Sequence, residues 1–334
     1  MILGIESSCD DSSVALLGLD LELKYHKKIS QELEHSRYGG VVPELAARLH
    51  TAALPNLIKE IKPYFGDIRA IAVTNRPGLS VSLVGGVSVA KALSLGLNLP
   101  LIEVNHLVGH IFSLFLNEPE QLPLGVLLVS GGHTMVLYVD ENGDISTLAA
   151  TGDDSFGESF DKVAKMMGLG YPGGVAIENL AKKSSSDRYK FTIPLKGDKR
   201  LEYSFSGLKN QVRLEIEKSV SNSSQNSDFA DIAAGFERAA CEHIIDKLSK
   251  ICAECRFKNF GVVGGASANI YLRSRLLELC AKFDMNLLVA PMEFCSDNAA
   301  MIARAGVAKF KKGKFINSKE LKISPRSSLS SIYL

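Results

Sequence analysis

Residues 2–17 of the chain read ILGIESSCDDSSVALL: an apolar run, a loop rich in serine and aspartate, and a second apolar run. The same pattern returns at residues 126–139, which read VLLVSGGHTMVLYV. Each stretch predicts a strand, a polar turn large enough for a phosphate, and an antiparallel partner strand. Because the two copies lie about 120 residues apart, the chain is predicted to contain two related halves.

Helical and extended patterns alternate around these two copies, which predicts an α/β protein. The predicted helices cover residues 43–61, 81–97, 157–167, a segment from about 176, 229–251 and a segment from about 269, and the further strands cover 70–74 and 260–263. Residues 184–207 are polar and rich in serine and lysine, so we expect an irregular or hairpin region. Residues 219–227, SVSNSSQNS, are predicted to form a flexible surface loop.

The composition is that of an ordinary folded protein, with 334 residues, 46% apolar and 22% charged. The longest uncharged run near membrane length, residues 77–90, has fourteen residues and contains three glycines. It is too short to span a bilayer, so no membrane association is predicted. The first residues enter a strand without a signal peptide, and six scattered cysteines then suggest reduced thiols in the cytoplasm.

The net charge of +1 is unevenly distributed. Residues 309–334 carry seven Lys or Arg against one Glu, a local charge of +6. A solvated tail is the simpler interpretation of this segment, and contact with RNA phosphates is the other.

Residues 105–110, NHLVGH, place two histidines four positions apart. On a helix His106 and His110 share one face and can reach a single metal ion, although such a pair also occurs in ordinary helix packing. No glutamate follows the first histidine, so this is not the HExxH site of a metalloprotease. A third ligand is required, and an oxygen donor is suitable. Asp297 stands where a loop turns into a helix, and its residue type and position alone favour helix capping.

Three glycine turns form a second group of candidate sites. Ser130-Gly131-Gly132 follows a predicted strand, while residues 173–174 and 264–265 each precede a predicted helix. Backbone NH groups of such turns bind phosphate, but a single turn of this kind is as readily an ordinary tight turn. None fits the GxGxxG or GxxxxGKS pattern, so neither a Rossmann site nor a P-loop is predicted.

Three acidic residues and one cysteine pair have weaker signals. Asp161 is suited to bind ribose hydroxyls or to lie on a solvated helix face. Asp10 and Asp11 are suited to orient a metal-bound water or a substrate amine, or to act only as turn residues. Cys252 and Cys255 form a CxxC that closes a helix, with no second pair to complete a zinc site, which favours a structural role.

Taken together and in order, these motifs resemble one family, the tRNA threonylcarbamoyladenosine transferases, formerly called O-sialoglycoprotein endopeptidases. The matching stretches are ILGIESSCDD (2–11), YGGVVPELAAR (38–48), NHLVGH (105–110), LLVSGGHT (127–134), GESFDKVAK (157–165), YPGG (171–174), SFSGLK (204–209), GGASAN (264–269) and FCSDNAAMIA (294–303). The sequence departs from the family pattern at Arg76, Val175 and Ala266, where glycine, proline and valine are usual.

The resemblance implies an actin-like (ASKHA) fold of two RNase H-like α/β halves with the ligand in the cleft between them. Residues 1–115 would form the first half, joined by the helix near 297–312. Residues 116–296 would form the second, and 313–334 a basic C-terminal tail.

The same resemblance implies a set of site residues. It implies that one divalent metal ion, iron or alternatively zinc, is held by His106, His110 and Asp297. It further implies an adenylate site lined by Leu128, Val129, Ser130, Gly131, Gly132, Asp161, Gly174, Glu178 and Asn269. Of these, Glu178 approaches the ligand only in some members of the family.

The implied activity is acyl transfer. The threonylcarbamoyl group would pass from threonylcarbamoyl-AMP to the exocyclic amine of the adenosine adjoining the anticodon, in tRNAs that read codons starting with adenine. Implied partners are tRNA, the adenylate or ATP, ADP and AMP, a metal-less paralogue of the same fold, and a small P-loop ATPase, all in the cytoplasm. The rival functions are a metal-dependent glycoprotein peptidase and an actin-like nucleotide-binding scaffold or ATPase.

Overall fold

A computed structural model describes residues 1–184, 186–221 and 225–326 of the chain. The described residues form eleven strands: β1 (Ile2–Glu6), β2 (Asp11–Leu17), β3 (Leu23–Ser30), β4 (Ala70–Arg76), β5 (Leu101–Asn105), β6 (Leu124–Val129), β7 (Thr134–Val139), β8 (Ile145–Thr151), β9 (Glu202–Tyr203), β10 (Asn259–Val263) and β11 (Asn286–Val289). They also form ten α-helices: α1 (Glu32–Ser36), α2 (Pro43–Glu60), α3 (Ser80–Leu97), α4 (His106–Phe112), α5 (Phe156–Met166), α6 (Gly173–Ala181), α7 (Ser206–Ser221), α8 (Gln225–Cys255), α9 (Ile270–Lys282) and α10 (Ala299–Lys311).

The chain divides into two compact units. The first contains Met1–Gln121 and the chain from Ala290 onward, and the second contains Leu122–Val289. These boundaries lie six or seven residues from the expected 115/116 and 296/297. The buried Arg304 of α10 explains the first difference, because its guanidinium donates to the carbonyl oxygens of Phe115 and Glu118 (3.0 Å to Glu118) and so keeps this segment in the first unit.

The sheet of the first unit has the order β3-β2-β1-β4-β5. The first three strands are antiparallel, and β4 and β5 are parallel to β1. In the second unit the order is β11-β10-β6-β7-β8-β9, with β6, β7 and β8 antiparallel and β10 and β11 parallel to β6. The two sheets therefore share one arrangement, three antiparallel strands followed by two parallel ones, and the predicted duplication is confirmed.

Small residues allow α10 to lie directly on the first sheet. A Cβ atom at Gly4 of β1 would overlap the Ala299 carbonyl oxygen and lie 2.7 Å from the Ala303 nitrogen. At Gly306 a Cβ would lie 2.6 Å from that of Ala72 in β4. Because α10 is held this close, the loop before it, which contains Asp297, lies in the same unit as α4 and its two histidines.

The core of the second unit is built around aromatic side chains. Phe156 and Phe160 of α5, Phe205 before α7 and Phe236 of α8 are all buried. Their ring centroids lie 4.7 Å apart for Phe156 and Phe160 and 4.8 Å apart for Phe160 and Phe236. Replacing one such ring by alanine costs about 3–5 kcal/mol. The start of α5 is held at the β6–β7 turn by the Ser155 hydroxyl, which donates to the Gly131 carbonyl oxygen (2.8 Å).

Two local predictions need correction. The glycine turn at 173–174 is itself the first turn of α6, so this helix begins three residues before the predicted position near 176. The predicted loop at 219–227 is helical at both ends, because α7 continues to Ser221 and α8 begins at Gln225. Residues 222–224 lie outside the described part of the chain. Serine and asparagine bias a segment against helix only weakly, and the packing of α7 on α8 overrides this bias.

The C-terminal segment is attached to the first unit as far as it is described. The Ile316 NH donates to the Leu101 carbonyl (2.9 Å), the Ser324 NH donates to the Asn75 carbonyl (2.9 Å), and Leu321 is buried. Residues 313–326 thus cover the β4–β5 side of the sheet. The basic residues lie on an anchored strap, and the remainder of the predicted tail, 327–334, lies outside the described residues.

Among the described helices, α3 alone is long and apolar enough to cross a bilayer by length and composition. Leu83, Val87 and Ala90 of this helix are buried in the first unit, whereas Val84 and Leu95 are exposed. One helix of this kind is weak evidence for a membrane span, because a helix packed on a sheet meets the same criteria.

Acid should destabilise the second unit through His243. This buried imidazole accepts a hydrogen bond from the Ser204 NH through Nε2 (3.1 Å), and burial lowers its pKa to about 4. Between the unfolded pKa of about 6.5 and this value the unfolded state binds more protons, so stability falls as pH falls. We expect the free energy of unfolding to drop by about 1.4 kcal/mol per pH unit across this window, and the His243→Gln protein to lack this component. Urea unfolding at several pH values measures it, and equal slopes for the two proteins would contradict the assignment.

Candidate active site

The two histidines are positioned by the junction between β5 and α4. Asn105 ends the strand, and its side-chain oxygen accepts hydrogen bonds from the NH groups of Leu107 (2.8 Å) and Val108 (3.4 Å), so it caps the helix. His106 is the first helical residue and His110 lies one turn later. Every residue of α4 is buried, and the two imidazole centroids are 4.6 Å apart. The shared face predicted from the spacing is present.

Asp297 lies opposite these rings. Its Oδ1 atom is 3.4 Å from Nε2 of His106 and 3.2 Å from Nε2 of His110. The helix cap that its sequence position favoured is wrong, because Asn298 caps α10 and accepts from the Met301 NH (2.9 Å). Asn298 thus takes the capping role, and the carboxylate of the preceding residue, Asp297, is directed to the histidines.

These three side chains fit a divalent metal ion. Their ligand atoms all lie within 4.8 Å of one another. Metal bonds of about 2.0–2.2 Å in tetrahedral directions place donor atoms roughly 3.4 Å apart, close to the two distances at Asp297. His110 is fully buried; its Nε2 faces Asp297, and its Nδ1 has no hydrogen-bond partner among the described residues. Two imidazoles and a carboxylate suit iron or zinc.

Glu6 and Ser8 hold the outer side of His106. Nδ1 of that ring lies 3.1 Å from the Ser8 hydroxyl and 3.3 Å from a carboxylate oxygen of Glu6. Glu6 is fully buried at the end of β1, where it also accepts hydrogen bonds from the Ser8 NH (2.6 Å) and the Thr74 hydroxyl. This arrangement leaves Nε2 of His106 directed toward Asp297. Sequence reasoning missed both residues, although a glutamate ending an otherwise apolar strand was a usable signal.

The charges of this cluster depend on one another. Burial lowers the pKa of His110. Burial acts in the same direction on His106, but the carboxylates of Asp297 and Glu6 outweigh it and hold the pKa of that ring well above its usual range. Burial alone would raise the pKa of Asp297, but the two imidazoles reverse this effect and hold it well below its usual range. Metal binding at Nε2 of His106 would therefore compete with protonation of that ring.

Replacing Glu6 by glutamine should weaken metal binding while the fold is retained. A carboxylate on the outer nitrogen fixes the ring and raises its basicity, and loss of such a partner typically costs 10–100-fold in metal affinity. We expect a loss of this size for Glu6→Gln in competition with a chelator. Glu60→Gln, on the surface of the same unit, is the matched control. Equal affinities of the two variants would assign Glu6 a purely structural role.

Asp11 lies at the start of β2, beside this cluster. Burial raises the pKa of Asp11 to about 6, even though Lys28 donates to its carboxylate (2.9 Å). The Lys28 ammonium is also 2.9 Å from the Ser296 hydroxyl, one residue before Asp297. Asp10 is half-buried in the preceding loop. Lys28 was not predicted, and it connects Asp11 to the loop before α10.

In the second unit, the glycine turns come together at the ends of β6 and β10. The Ser130 hydroxyl accepts hydrogen bonds from the NH groups of Gly132 (3.3 Å) and His133 (3.1 Å). Gly264, with φ of +93°, packs on the Val129 carbonyl, where a Cβ would overlap the oxygen. By contrast, a Cβ at Gly131 or Gly132 would meet no described heavy atom within 4 Å. Leu128 and Val129 are fully buried and paired in the sheet, so they support the turn from beneath.

A second part of this region is built on α6. Asp161 of α5 accepts a hydrogen bond from the Gly173 NH (2.7 Å) at the helix start. Farther along α6, Glu178 lies 3.4 Å from the Asn269 side-chain nitrogen. The structure thus brings Asp161 to Gly173, the neighbour of Gly174, and Glu178 to Asn269, within one unit.

The amide of Asn269 is largely committed to the protein. Its oxygen caps α9 by accepting from the Leu272 NH (2.7 Å), and its nitrogen donates to Glu237 (2.7 Å). Glu237 is buried, and burial raises its pKa. Sequence reasoning missed Glu237, because it lies in the middle of the amphipathic helix α8 without a neighbouring motif.

Comparison with known proteins decides the family. A family model described as tRNA N6-adenosine threonylcarbamoyltransferase matches residues 22–304. A protein of that name from Campylobacter curvus is 68% identical over 336 residues, covering 98% of this chain and 99% of its own. This chain belongs to the tRNA N6-adenosine threonylcarbamoyltransferase family. A member from Campylobacter jejuni is 62% identical, covering 98% of this chain and 97% of its own. The resemblance seen in the sequence motifs is confirmed.

Solved structures of other proteins share the fold. Component A of (R)-2-hydroxyglutaryl-CoA dehydratase from Acidaminococcus fermentans has a TM-score of 0.54 at 18% identity, covering 92% of this chain and 99% of that one. HypF of T. kodakarensis has a TM-score of 0.59 at 13% identity, covering 96% of this chain and 49% of that one. At these identities the likeness concerns the fold alone. The predicted actin-like fold of two RNase H-like halves is confirmed.

The departures from the family pattern lie beside the candidate site residues. Arg76 ends β4 and its guanidinium is 3.5 Å from the Glu103 carboxylate. Val175 is exposed directly after Gly174. Ala266 lies in the turn between β10 and α9 and is partly buried. None of the three replaces a residue expected to bind metal or adenylate in this family.

The cysteine pair shows no sign of redox chemistry. Cys252 is buried, and burial raises its pKa to about 12, while Cys255 is exposed at the end of α8. A reactive thiol needs a lowered pKa. The structural role favoured by the sequence therefore stays a prediction.

Proposed function

We propose that this protein transfers the threonylcarbamoyl group from threonylcarbamoyl-AMP to N6 of the adenosine adjoining the anticodon, in tRNAs that read codons starting with adenine. The products are threonylcarbamoyladenosine in tRNA, and AMP. Membership of the family supports acyl transfer to tRNA adenosine. The observation that carries the proposal is the convergence of His106, His110 and Asp297 in a chain of this family.

We further propose that these three residues hold one divalent ion, iron or alternatively zinc. When bound, such an ion acts as a Lewis acid that polarises the carbonyl oxygen of the threonylcarbamoyl group. Its ligands are preorganised by the protein. Glu6 and Ser8 orient the ring of His106, and the α4 backbone places His110 one turn below it.

In the reaction, the lone pair of adenosine N6 attacks the carbamoyl carbon. The new C–N bond forms, the bond from carbon to the phosphate oxygen breaks, and AMP leaves with the electron pair. The amine gives up one proton to a base. Asp11 has a pKa near 6, which suits this role at neutral pH, although Lys28 competes for its carboxylate. Asp10 is the alternative base.

The second unit is proposed to bind the AMP portion. The Ser130-Gly131-Gly132 turn would hold the phosphate through the Gly131 NH, because the Ser130 and Gly132 NH groups already donate within the turn, and the open space above both glycines supports this. Fixed NH donors stabilise the charge that develops on the departing phosphate. The adenosine would lie against Asp161, Gly174, Glu178 and Asn269, while Leu128 and Val129 shape the strand end beneath the turn.

The expected partners follow from the family resemblance. They are tRNA, the adenylate or its nucleotide relatives ATP, ADP and AMP, a metal-less paralogue of the same fold and a small P-loop ATPase. A cytoplasmic location is supported by the tRNA substrate and by the cysteines. None of the six cysteines, all within the described residues, forms a disulfide.

Two rival functions are not favoured. A metal-dependent glycoprotein peptidase and an actin-like scaffold or ATPase both fit the fold, but the relatives at 61–68% identity are all named as the transferase. The fold by itself does not choose among these functions.

The decisive assay combines the purified protein, an unmodified tRNA of the proposed class and threonylcarbamoyl-AMP. We expect one AMP released for each threonylcarbamoyladenosine found after digestion of the tRNA to nucleosides. Release of AMP without the modified nucleoside would contradict acyl transfer and favour the ATPase. Metal-dependent cleavage of a glycoprotein, with no tRNA product, would favour the peptidase.

A further inference from the structure

A basic segment of the second unit, residues 182–200, lies outside the site described above. It contains seven Lys or Arg and two Asp, a local charge of +5. Residues 309–334 carry a further +6, and the whole chain has a net charge of +1. All remaining residues together therefore have a net charge of −10. Positive charge is therefore concentrated in two stretches of an otherwise acidic protein.

The described residues of the basic segment form no helix or strand, because α6 ends at Ala181 and β9 begins at Glu202. The segment is nevertheless held in a defined conformation. The fully buried Lys247 of α8 donates through its ammonium to the carbonyl oxygens of Leu195 (3.0 Å) and Asp198 (2.9 Å). The Thr192 NH donates to the Gln211 side chain of α7 (2.9 Å). A buried ammonium is costly without such partners, so these contacts hold the segment in one conformation.

Contact with α8 fixes the first part of the segment. At Gly235 a Cβ would lie 2.5 Å from the Tyr189 carbonyl oxygen, so backbone meets backbone there. The Arg188 guanidinium lies 5.1 Å from the centre of the Tyr189 ring and pairs with Asp228 (2.6 Å). An irregular segment this long, held this firmly, is more often functional than a simple connection.

Four lysines of the segment are exposed: Lys183, Lys190, Lys196 and Lys199. None of them has an ion-pair partner among the described residues, in contrast to Lys182, which pairs with Glu178 (2.7 Å). Exposed ammonium groups without a partner on a rigid surface are available to a ligand with several negative charges.

A groove lies along the same segment. Its volume is about 470 Å³, and its walls are Arg188, Tyr189, Lys190 and Phe191 on one side and Gln211, Leu214 and Glu215 of α7 on the other. Lys190 stands at this groove, and the rings of Tyr189 and Phe191 are nearly parallel, at 15°. The surface therefore combines exposed ammonium groups with a preformed groove.

We propose that the basic segment binds the phosphate backbone of the tRNA substrate, an inference that rests on the proposed function. The groups at the candidate active site of the first unit are largely acidic, including Glu6, Asp11 and Asp297. The cationic groups there are already paired, Lys28 with Asp11 and the His106 ring with Glu6 and Asp297, so a polyanionic substrate needs cations elsewhere on the protein. Lysines on a fixed surface meet this need, because phosphate contacts dominate the affinity of proteins for nucleic acid.

The test compares two variants of the full chain that each remove two exposed lysines from the second unit. Lys190→Ala/Lys196→Ala lies in the basic segment, and Lys258→Ala/Lys282→Ala lies outside it. Each lost phosphate contact lowers the slope of log affinity against log salt by about 0.7–0.9. For two lost contacts we expect the salt dependence to become shallower, with the magnitude of the slope reduced by about 1.5. The affinity for unmodified tRNA should fall by about 30-fold at 0.1 M KCl. The control variant should bind like the unchanged protein.

Kinetics separates this proposal from the proposed function. For the segment variant the KM for tRNA should rise, while kcat at saturating tRNA and the KM for threonylcarbamoyl-AMP stay unchanged. If the unchanged protein modifies tRNA and both variants bind tRNA equally well, the basic segment is not the docking surface, although the transferase function stands. If the segment variant keeps its tRNA affinity but loses an acidic protein partner, the surface serves that partner and the proposal is overturned. Failure of the unchanged protein to modify tRNA is a failure of the proposed function itself.

Discussion

Replacing His110 by alanine should abolish acyl transfer and leave the fold intact. Lewis-acid stabilisation is worth several kcal/mol, so a loss of about 10³-fold or more in kcat is expected once the metal site is broken. The folded protein should tolerate the change. The Nδ1 atom of His110 is buried without a hydrogen-bond partner among the described residues, so its removal relieves a desolvation cost as it opens a small cavity, and Asp297 keeps its contact with His106.

Three measurements on the same preparation test this prediction. Metal content should fall below about a tenth of that of the unchanged protein, because loss of even a supporting group at such a site lowers metal affinity by about 10–100-fold. The midpoint of thermal unfolding, measured after chelation in both proteins, should change by only a few degrees. His243→Gln removes a buried histidine from the other unit and should keep metal and activity. Full transfer by metal-free His110→Ala would overturn the metal-dependent mechanism.

Neighbouring glycines at the start of α6 should respond in opposite ways to alanine. At Gly173 a Cβ would lie 2.5 Å from the Asp161 Cα and 2.7 Å from the Phe160 carbonyl oxygen, so helix α5 would have to move. Overpacking of this kind costs up to about 3 kcal/mol or more. At Gly174 a Cβ would meet no described heavy atom within 4 Å, and alanine is the better helix former. Gly174→Ala should therefore leave stability unchanged or slightly raised.

The second effect of Gly174→Ala should be on ligand binding. If the backbone at the start of α6 faces the adenylate, a methyl group there shields the NH group and occupies ligand space. We expect the affinity for AMP to fall by about 10-fold or more, measured by calorimetry beside urea unfolding of both variants. Val175→Ala, at the next and exposed position, is the matched control. Unchanged AMP affinity in Gly174→Ala would move the adenylate site away from α6.

Much of the fold was predictable from local pattern. Residues 2–17 and 126–139 alternate apolar runs with polar turns, and β1–β2 and β6–β7 form in both places. The predictions failed where packing overrides composition. Ser219 and Ser221 lie in α7, although their neighbourhood is rich in serine, because Ile216 and other apolar positions of that helix are buried. Gly173 begins a helix because Asp161 accepts its NH, a contact that has no local sequence signal.

The candidate site was predictable only in part. The spacing of His106 and His110 indicates a shared helix face, since the i, i+4 relation is a property of the helix itself. Asp297, almost 190 residues away, entered the prediction through family resemblance, because its own neighbourhood indicated a cap. Glu6 and Ser8 were missed, because their role depends on which strand end lies beside the helix.

The sequence by itself determined the repeated strand–turn–strand units, most helices and the histidine pair, because these features depend on contacts between residues close together in the chain. Tertiary structure alone decided that Asn298 rather than Asp297 caps α10, that Glu6 supports His106, and that Lys247 holds a basic segment about 50 residues before it. Such contacts depend on the order of strands in each sheet and on close packing at Gly4 and Gly235. Close packing of this kind depends on the whole fold, so no local pattern in the chain specifies it.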